Sequence, residues 1–146
     1  MRQAFVGSVV AMLFSLGMHA QGGAQNVLNA NTALEAELLA VPHITSTLAK
    51  TIVERRPLKT IRDLDMVLQS LSRQQRSEVY GRLFVPVNLN TATDAEILTI
   101  PGLGQRMLRE FKEYRPYKSI EQFRREIGKY VSRQEVSRLE QYVSLN

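Results

Sequence analysis

The residues best equipped for chemistry in this sequence form a turn and the helix behind it. Pro101-Gly102-Leu103-Gly104 runs into Gln105-Arg106-Met107-Leu108-Arg109, with Lys112 one turn further and Lys118 beyond. Proline cannot continue a preceding helix and glycine readily takes positive φ, so these four residues predict a sharp hairpin with a strained-for-alanine backbone at both glycines. Two glycines also let a foreign backbone come close. The amides opening the next helix point outward with partial positive charge, which suits an anion and phosphate in particular. Arg106, Arg109 and Lys112 follow at spacing three, a basic stripe interrupted by Glu110 and Glu113. Contacts of this kind hold a phosphate backbone and read no bases. The expected binding set is therefore Pro101, Gly102, Leu103, Gly104, Gln105, Arg106, Arg109, Lys112 and Lys118. The bland alternative is a plain connector between two helices, flanked by a solvated basic face.

Other chemistry is hard to assemble from this composition. There is no Cys, which removes disulfides, thiolate nucleophiles and cysteine metal ligands together. The two His, His19 and His43, lack partners at ligand spacing, and no Gly-rich nucleotide loop or catalytic triad is present. The expectation is a non-enzymatic chain with no cofactor, no metal and no small-molecule substrate. Hydrophobic residues make up 44% and charged residues 23%, as in an ordinary globular chain, and the net charge of +5 fits a polyanionic partner.

The elements that must position the hairpin follow from an internal repeat. Shifted by 59 residues, Leu28–Leu64 lies on Val87–Phe123 without a gap, with 13 of 37 positions identical. Identities include Asn29/Asn88, Asn31/Asn90, Thr32/Thr91, Pro42/Pro101, Arg56/Arg115, Pro57/Pro116 and Lys59/Lys118. One inserted residue later the match resumes at Leu71-Ser72-Arg73-Gln74 over Val131-Ser132-Arg133-Gln134. Each copy reads as short helices. Thr93 with Glu96 opens one that runs to about Thr99; Met107, Leu108, Phe111 and Tyr114 line the next; Ser119 with Gln122 and Ser132 with Glu135 cap two more. Thr60/Asp63 and Ser72/Gln75 repeat the plan in the first copy, and no strand is predicted. Helices this short need one another's apolar faces, and the link Arg82-Leu83-Phe84-Val85-Pro86 has no flexible character, so the copies are expected to pack together.

The chain begins with Arg2, an apolar run from Ala4 to Met18 and small residues around Ala20 to Ala24, the pattern of a secretory signal cleaved after Ala24 or, less favourably, Ala20. Residues 1–24 are thus expected to be a signal peptide, with an exported, periplasmic or extracytoplasmic product and no later membrane span.

Asn88, Asn90, Thr91, Ala92, then Pro101-Gly102-Leu103-Gly104, then Tyr114-Arg115-Pro116-Tyr117-Lys118 resembles the helix-hairpin-helix pattern of the ComEA-type competence DNA receptors, closely in the second copy and weakly in the first. Similar Asn-x-Asn-Thr repeats occur in minor pseudopilin K of type II secretion and in the photosystem II extrinsic subunit U. The resemblance implies an all-α fold of two tandem helix-hairpin-helix (SAM-like) units of about 60 residues each, near the lower limit for folding alone. They would span 25–84, degenerate, and 85–146. It also implies sequence-independent binding of double-stranded DNA and a part in DNA uptake. The departures are specific. Pro42-His43-Ile44-Thr45 has lost both glycines, and the place of a later glycine hairpin holds Ile127-Gly128-Lys129 in one copy and Leu68-Gln69-Ser70 in the other. The alternative is an exported scaffold module that contacts an envelope protein through the same helices.

Overall fold

The computed structural model describes residues 26–145; the signal peptide expected at 1–24 lies outside them. The first half runs β1 (Leu28–Asn29), α1 (Glu35–Leu39), α2 (Ser46–Glu54), α3 (Ile61–Val67), α4 (Arg73–Tyr80) and β2 (Leu83–Phe84). The second repeats that order with β3 (Val87–Asn88), α5 (Asp94–Ile97), α6 (Gln105–Glu113), α7 (Ile120–Ile127), α8 (Arg133–Glu140) and β4 (Val143–Ser144). The described residues are therefore about half helical, with eight helices and a few very short strands.

The strands correct the all-α expectation. β1 pairs in parallel with β2, Leu28 opposite Leu83, and β3 with β4, Val87 opposite Val143. Leu28 N–H donates to the Arg82 carbonyl and Ala30 N–H to that of Phe84, both at 2.8 Å; Val87 to Tyr142 (2.9 Å) and Leu89 to Ser144 (2.8 Å) repeat the pattern. Parallel strands need a long crossover, and here four helices supply it. Two residues are too few for an alternating pattern, so these pairs leave no periodic trace in the sequence.

Local hydrogen bonds start the helices where the residue spacing puts them. Thr93 Oγ1 accepts from Glu96 N–H at 3.3 Å, and Glu96 reaches back to Thr93 N–H at 2.7 Å. Ser72 and Gln75 are joined in the same reciprocal way. Around α7 the pattern slips by one: Ser119 Oγ accepts from Gln122 N–H, but Gln122 returns to Lys118 N–H rather than to its own cap. α5 ends at Ile97, short of Thr99, and Val143 is buried in β4, past the end of α8.

A second layer of clamps is identical in the two halves. Arg56 donates from Nε and Nη2 to the carbonyls of Ala30 (2.8 Å) and Ala33 (2.6 Å); Arg115 does the same to Leu89 (2.6 Å) and Ala92 (2.8 Å). Asn31 makes a two-way amide pair with Leu58, and Asn90 with Tyr117. These are the repeated Asn and Arg positions, and their work is to tie the loop before each first helix to the loop after each second one.

One continuous apolar cluster runs through both halves, including Leu38, Ile52, Leu64, Phe84, Ile97, Phe111 and Phe123. The connecting residues Leu83, Phe84 and Val85 are buried within it. The Phe84 ring meets Tyr142 edge to face at 4.9 Å, and Val27 N–H donates to Gln141 Oε1 at 2.6 Å, so the end of each half is packed against the other.

Candidate phosphate-binding turn

The Pro101–Gly104 hairpin is built by two backbone hydrogen bonds, Ile100 N–H to Ile97 and Leu103 N–H to Ile100, both at 3.1 Å. They fold the chain back between α5 and α6. Gly102 sits at φ 75, the left-handed region that favours glycine. Gly104 does not: its φ is −102, which any residue adopts. The expectation of strain at both glycines is corrected to Gly102 alone. What marks Gly104 is space, for a Cβ placed there meets nothing within 4 Å.

Gly104 is the N-cap of α6 and offers no side chain to it. The first amides of a helix have no acceptor within the helix, and ordinarily a Ser, Thr or Asp cap serves one of them. In the first half the aligned residue is Thr45, and its Oγ1 accepts from Leu48 N–H at 3.3 Å. The same seat is thus filled by a side chain in α2 and left open in α6.

The remaining predicted residues divide. Gln105, Arg106, Arg109 and Lys118 are exposed, and the two arginines and Lys118 form no ion pair among the described residues. Lys112 is exposed but bound to Asp94 at 2.7 Å, so part of its charge is already answered within the fold. Leu103 is buried with 9% of its surface exposed, and it anchors the turn in the core instead of facing a ligand. Pro101 is half-buried and supplies a carbonyl to the Arg138 guanidinium.

Arg138 is the residue that sequence reasoning missed. Its Nη1 donates to Pro101 O at 2.8 Å from 37 residues away, while Glu135 holds Nε and Nη2. That guanidinium keeps the Glu135 carboxyl below the usual carboxylate range. The signal available was its alignment with Glu78, a charge reversal in an otherwise similar helix. In the first half His43 stands where Gly102 does, at φ 66, with Nε2 against Glu78 Oε2 at 2.6 Å. The late glycine is a helix end: a Cβ at Gly128 would lie 2.7 Å from the Arg124 carbonyl, so close packing, not ligand approach, requires it.

Among the described residues no cluster of three or more His, Asp or Glu is arranged to hold a metal ion, and no helix is long and apolar enough to cross a membrane.

No family model and no solved structure matches the chain. It is similar to endonuclease/exonuclease/phosphatase family domain-containing protein 1 of Xenopus laevis, at 30% identity across 66% of this chain and 24% of that protein. The same-named proteins of Bos taurus, at 30% identity (66% and 25%), and Homo sapiens, at 29% (66% and 24%), are similar to the same extent. The chain spans about a quarter of the length of these relatives.

Two expectations are corrected by this similarity. The resemblance to ComEA-type competence receptors gives way, because the relatives bear the name of a different family. Three of the residues that carried the resemblance, Asn90, Arg115 and Tyr117, are loop clamps whose pattern recurs in both halves, so their presence is explained by how the chain folds. The expectation of a non-enzyme is overturned by the same finding, since the relatives are named for an endonuclease/exonuclease/phosphatase family domain. Missing thiols and sparse histidines exclude only the chemistry of those side chains; phosphate-ester cleavage can run on metal-bound water.

Proposed function

We propose that this chain holds the phosphate backbone of duplex DNA, without reading its sequence, at the open N-terminal turn of α6. Each half acts in this reading as a helix-hairpin-helix unit, over 25–84 and 85–146. Gly102, Gly104 and the amides of Gln105, Arg106 and Met107, the last aligned with the Leu48 amide that Thr45 caps, form the seat, and Arg106, Arg109 and Lys118 add charge around it. The carrying observation is the contrast at one aligned position: Thr45 fills the amide seat of α2, whereas Gly104 leaves that of α6 open and leaves free space above it. The relatives' name supports phosphate as the ligand, because nucleases and phosphatases alike act on phosphate esters. The signal pattern at residues 1–24 supports an extracytoplasmic address in this reading.

The test is titration of the purified protein onto random-sequence duplex, read by fluorescence anisotropy over a range of salt. Binding should weaken as salt rises, with a log–log slope of roughly two to four. Arg109→Ala should reduce that slope by about 0.9, the share of one phosphate contact, and Lys112→Ala by less because Asp94 already engages it. A folded protein that does not bind at low salt would sink the proposal.

A second reading, docking of an envelope protein, is favoured by a different observation. The exposed large apolar side chains Leu34, Leu39, Val53 and Met66 all lie in the first half, where the second half carries Thr93, the half-buried Leu98, Lys112 and Arg125. Loss of partner capture on Met66→Lys, with DNA binding unaffected, would be its signature.

A further inference from the structure

Both hairpins are anchored from the last helix of their own half, by side chains of opposite charge at aligned positions. In the second half Arg138 Nη1 donates to the Pro101 carbonyl at 2.8 Å. Glu135 fixes the rest of the guanidinium, Nε to Oε2 at 2.8 Å and Nη2 to Oε1 at 2.7 Å, and the Tyr142 ring lies 5.8 Å beneath it. Gly102 faces this group directly, for a Cβ there would stand 3.5 Å from Arg138 Nη2. In the first half the aligned anchor is Glu78, and it reaches His43, the residue aligned with Gly102. The first turn is therefore bound to a carboxylate, an unfavourable neighbour for phosphate, and the second to a guanidinium.

We propose that Arg138 is a positioning residue of the phosphate turn: by pinning the Pro101 carbonyl it holds Gly102 in its left-handed conformation and keeps the α6 amides presented. The inference rests on the phosphate reading above. Arg138 acts through the turn and not on the ligand, because its hydrogen bonds go to Pro101 and Glu135 and the Glu135 carboxylate answers its charge. Its removal should loosen the turn without subtracting a phosphate contact.

The experiment replaces the pair together, Arg138→Met with Glu135→Gln, so that net charge beside the turn is unchanged. Duplex affinity is measured across a salt series, and amide hydrogen exchange at Leu103 is followed in the free protein. Loss of a hydrogen bond from a charged donor should weaken binding about tenfold at every salt concentration, with the slope unchanged. Exchange at Leu103 should quicken. Arg138→Lys, which keeps a donor but loses the planar fork, should fall between, and it reads the same quantities if the double variant fails to fold. Unaltered affinity and exchange would overturn the clamp. A slope lower by about 0.9 would also overturn it, by making Arg138 a direct phosphate contact. Absence of binding by the unsubstituted protein overturns the phosphate reading itself, and Leu103 exchange then decides the clamp alone.

Discussion

Alanine at Gly102 and alanine at Gly104 should separate stability from binding in opposite directions. Gly102 lies at φ 75, and a residue with a Cβ costs about 1–2 kcal/mol there. The first half shows that this cost is survivable, since His43 occupies the aligned position at φ 66. For a chain of this size about 1 kcal/mol corresponds to roughly 3–5 °C in Tm. Gly104 has an ordinary φ and empty space at its Cβ. Alanine there is a poorer N-cap than glycine by roughly 0.5–1 kcal/mol but gains about 0.4–1 kcal/mol from a less flexible unfolded chain, so the net change is close to zero. Yet that methyl group would stand in the space through which a phosphate must approach. Thermal unfolding and duplex titration of the two variants should show Gly102→Ala as the less stable one. Gly104→Ala should melt with the parent and bind more weakly, and Gly104→Val weaker still. Should Gly104→Ala and Gly104→Val both keep full affinity, the α6 amides are not where phosphate sits. Equal destabilisation by the two alanines would refute the assignment of strain to Gly102 alone.

Two further outcomes follow from the clamps and the ion pairs. Arg115→Ala removes two charge-assisted hydrogen bonds to the Leu89 and Ala92 carbonyls and should cost about 3 kcal/mol, on the order of 10 °C in Tm, seen by circular dichroism. The Glu140 carboxyl is held below the usual carboxylate range, chiefly by its hydrogen bond from Arg124. A folded-state pKa below the unfolded one means that this stabilisation is complete above the unfolded value of about 4.3 and is lost as pH falls through the lower folded value. Urea midpoints of Arg124→Gln should therefore fall less steeply than those of the parent protein below about pH 4; parallel acid limbs would show that the pair carries no pH-dependent stability.

Features that depend on neighbours within four residues were legible in the residues themselves. The Thr93/Glu96 and Ser72/Gln75 caps are set by side chains that meet their own backbone, and the apolar stripe of α6 recurs at helical spacing, so spacing reveals them. The repeat was equally plain, because two similar stretches fold alike whatever they bind. Relationships across the fold were not legible. The Arg115 clamps span 23 and 26 residues and the Arg138 contact 37, and each depends on how the helices pack. Lys112 looked like a free cation until packing of α6 beside α5 brought it to Asp94, and Leu103 looked like part of a surface turn until the core claimed it. Residue types and spacing determined the hairpin, its glycines and its basic flank. Which glycine is strained, which amide seat is open and which arginine anchors the turn depend on where non-neighbouring groups come to rest in the packed fold.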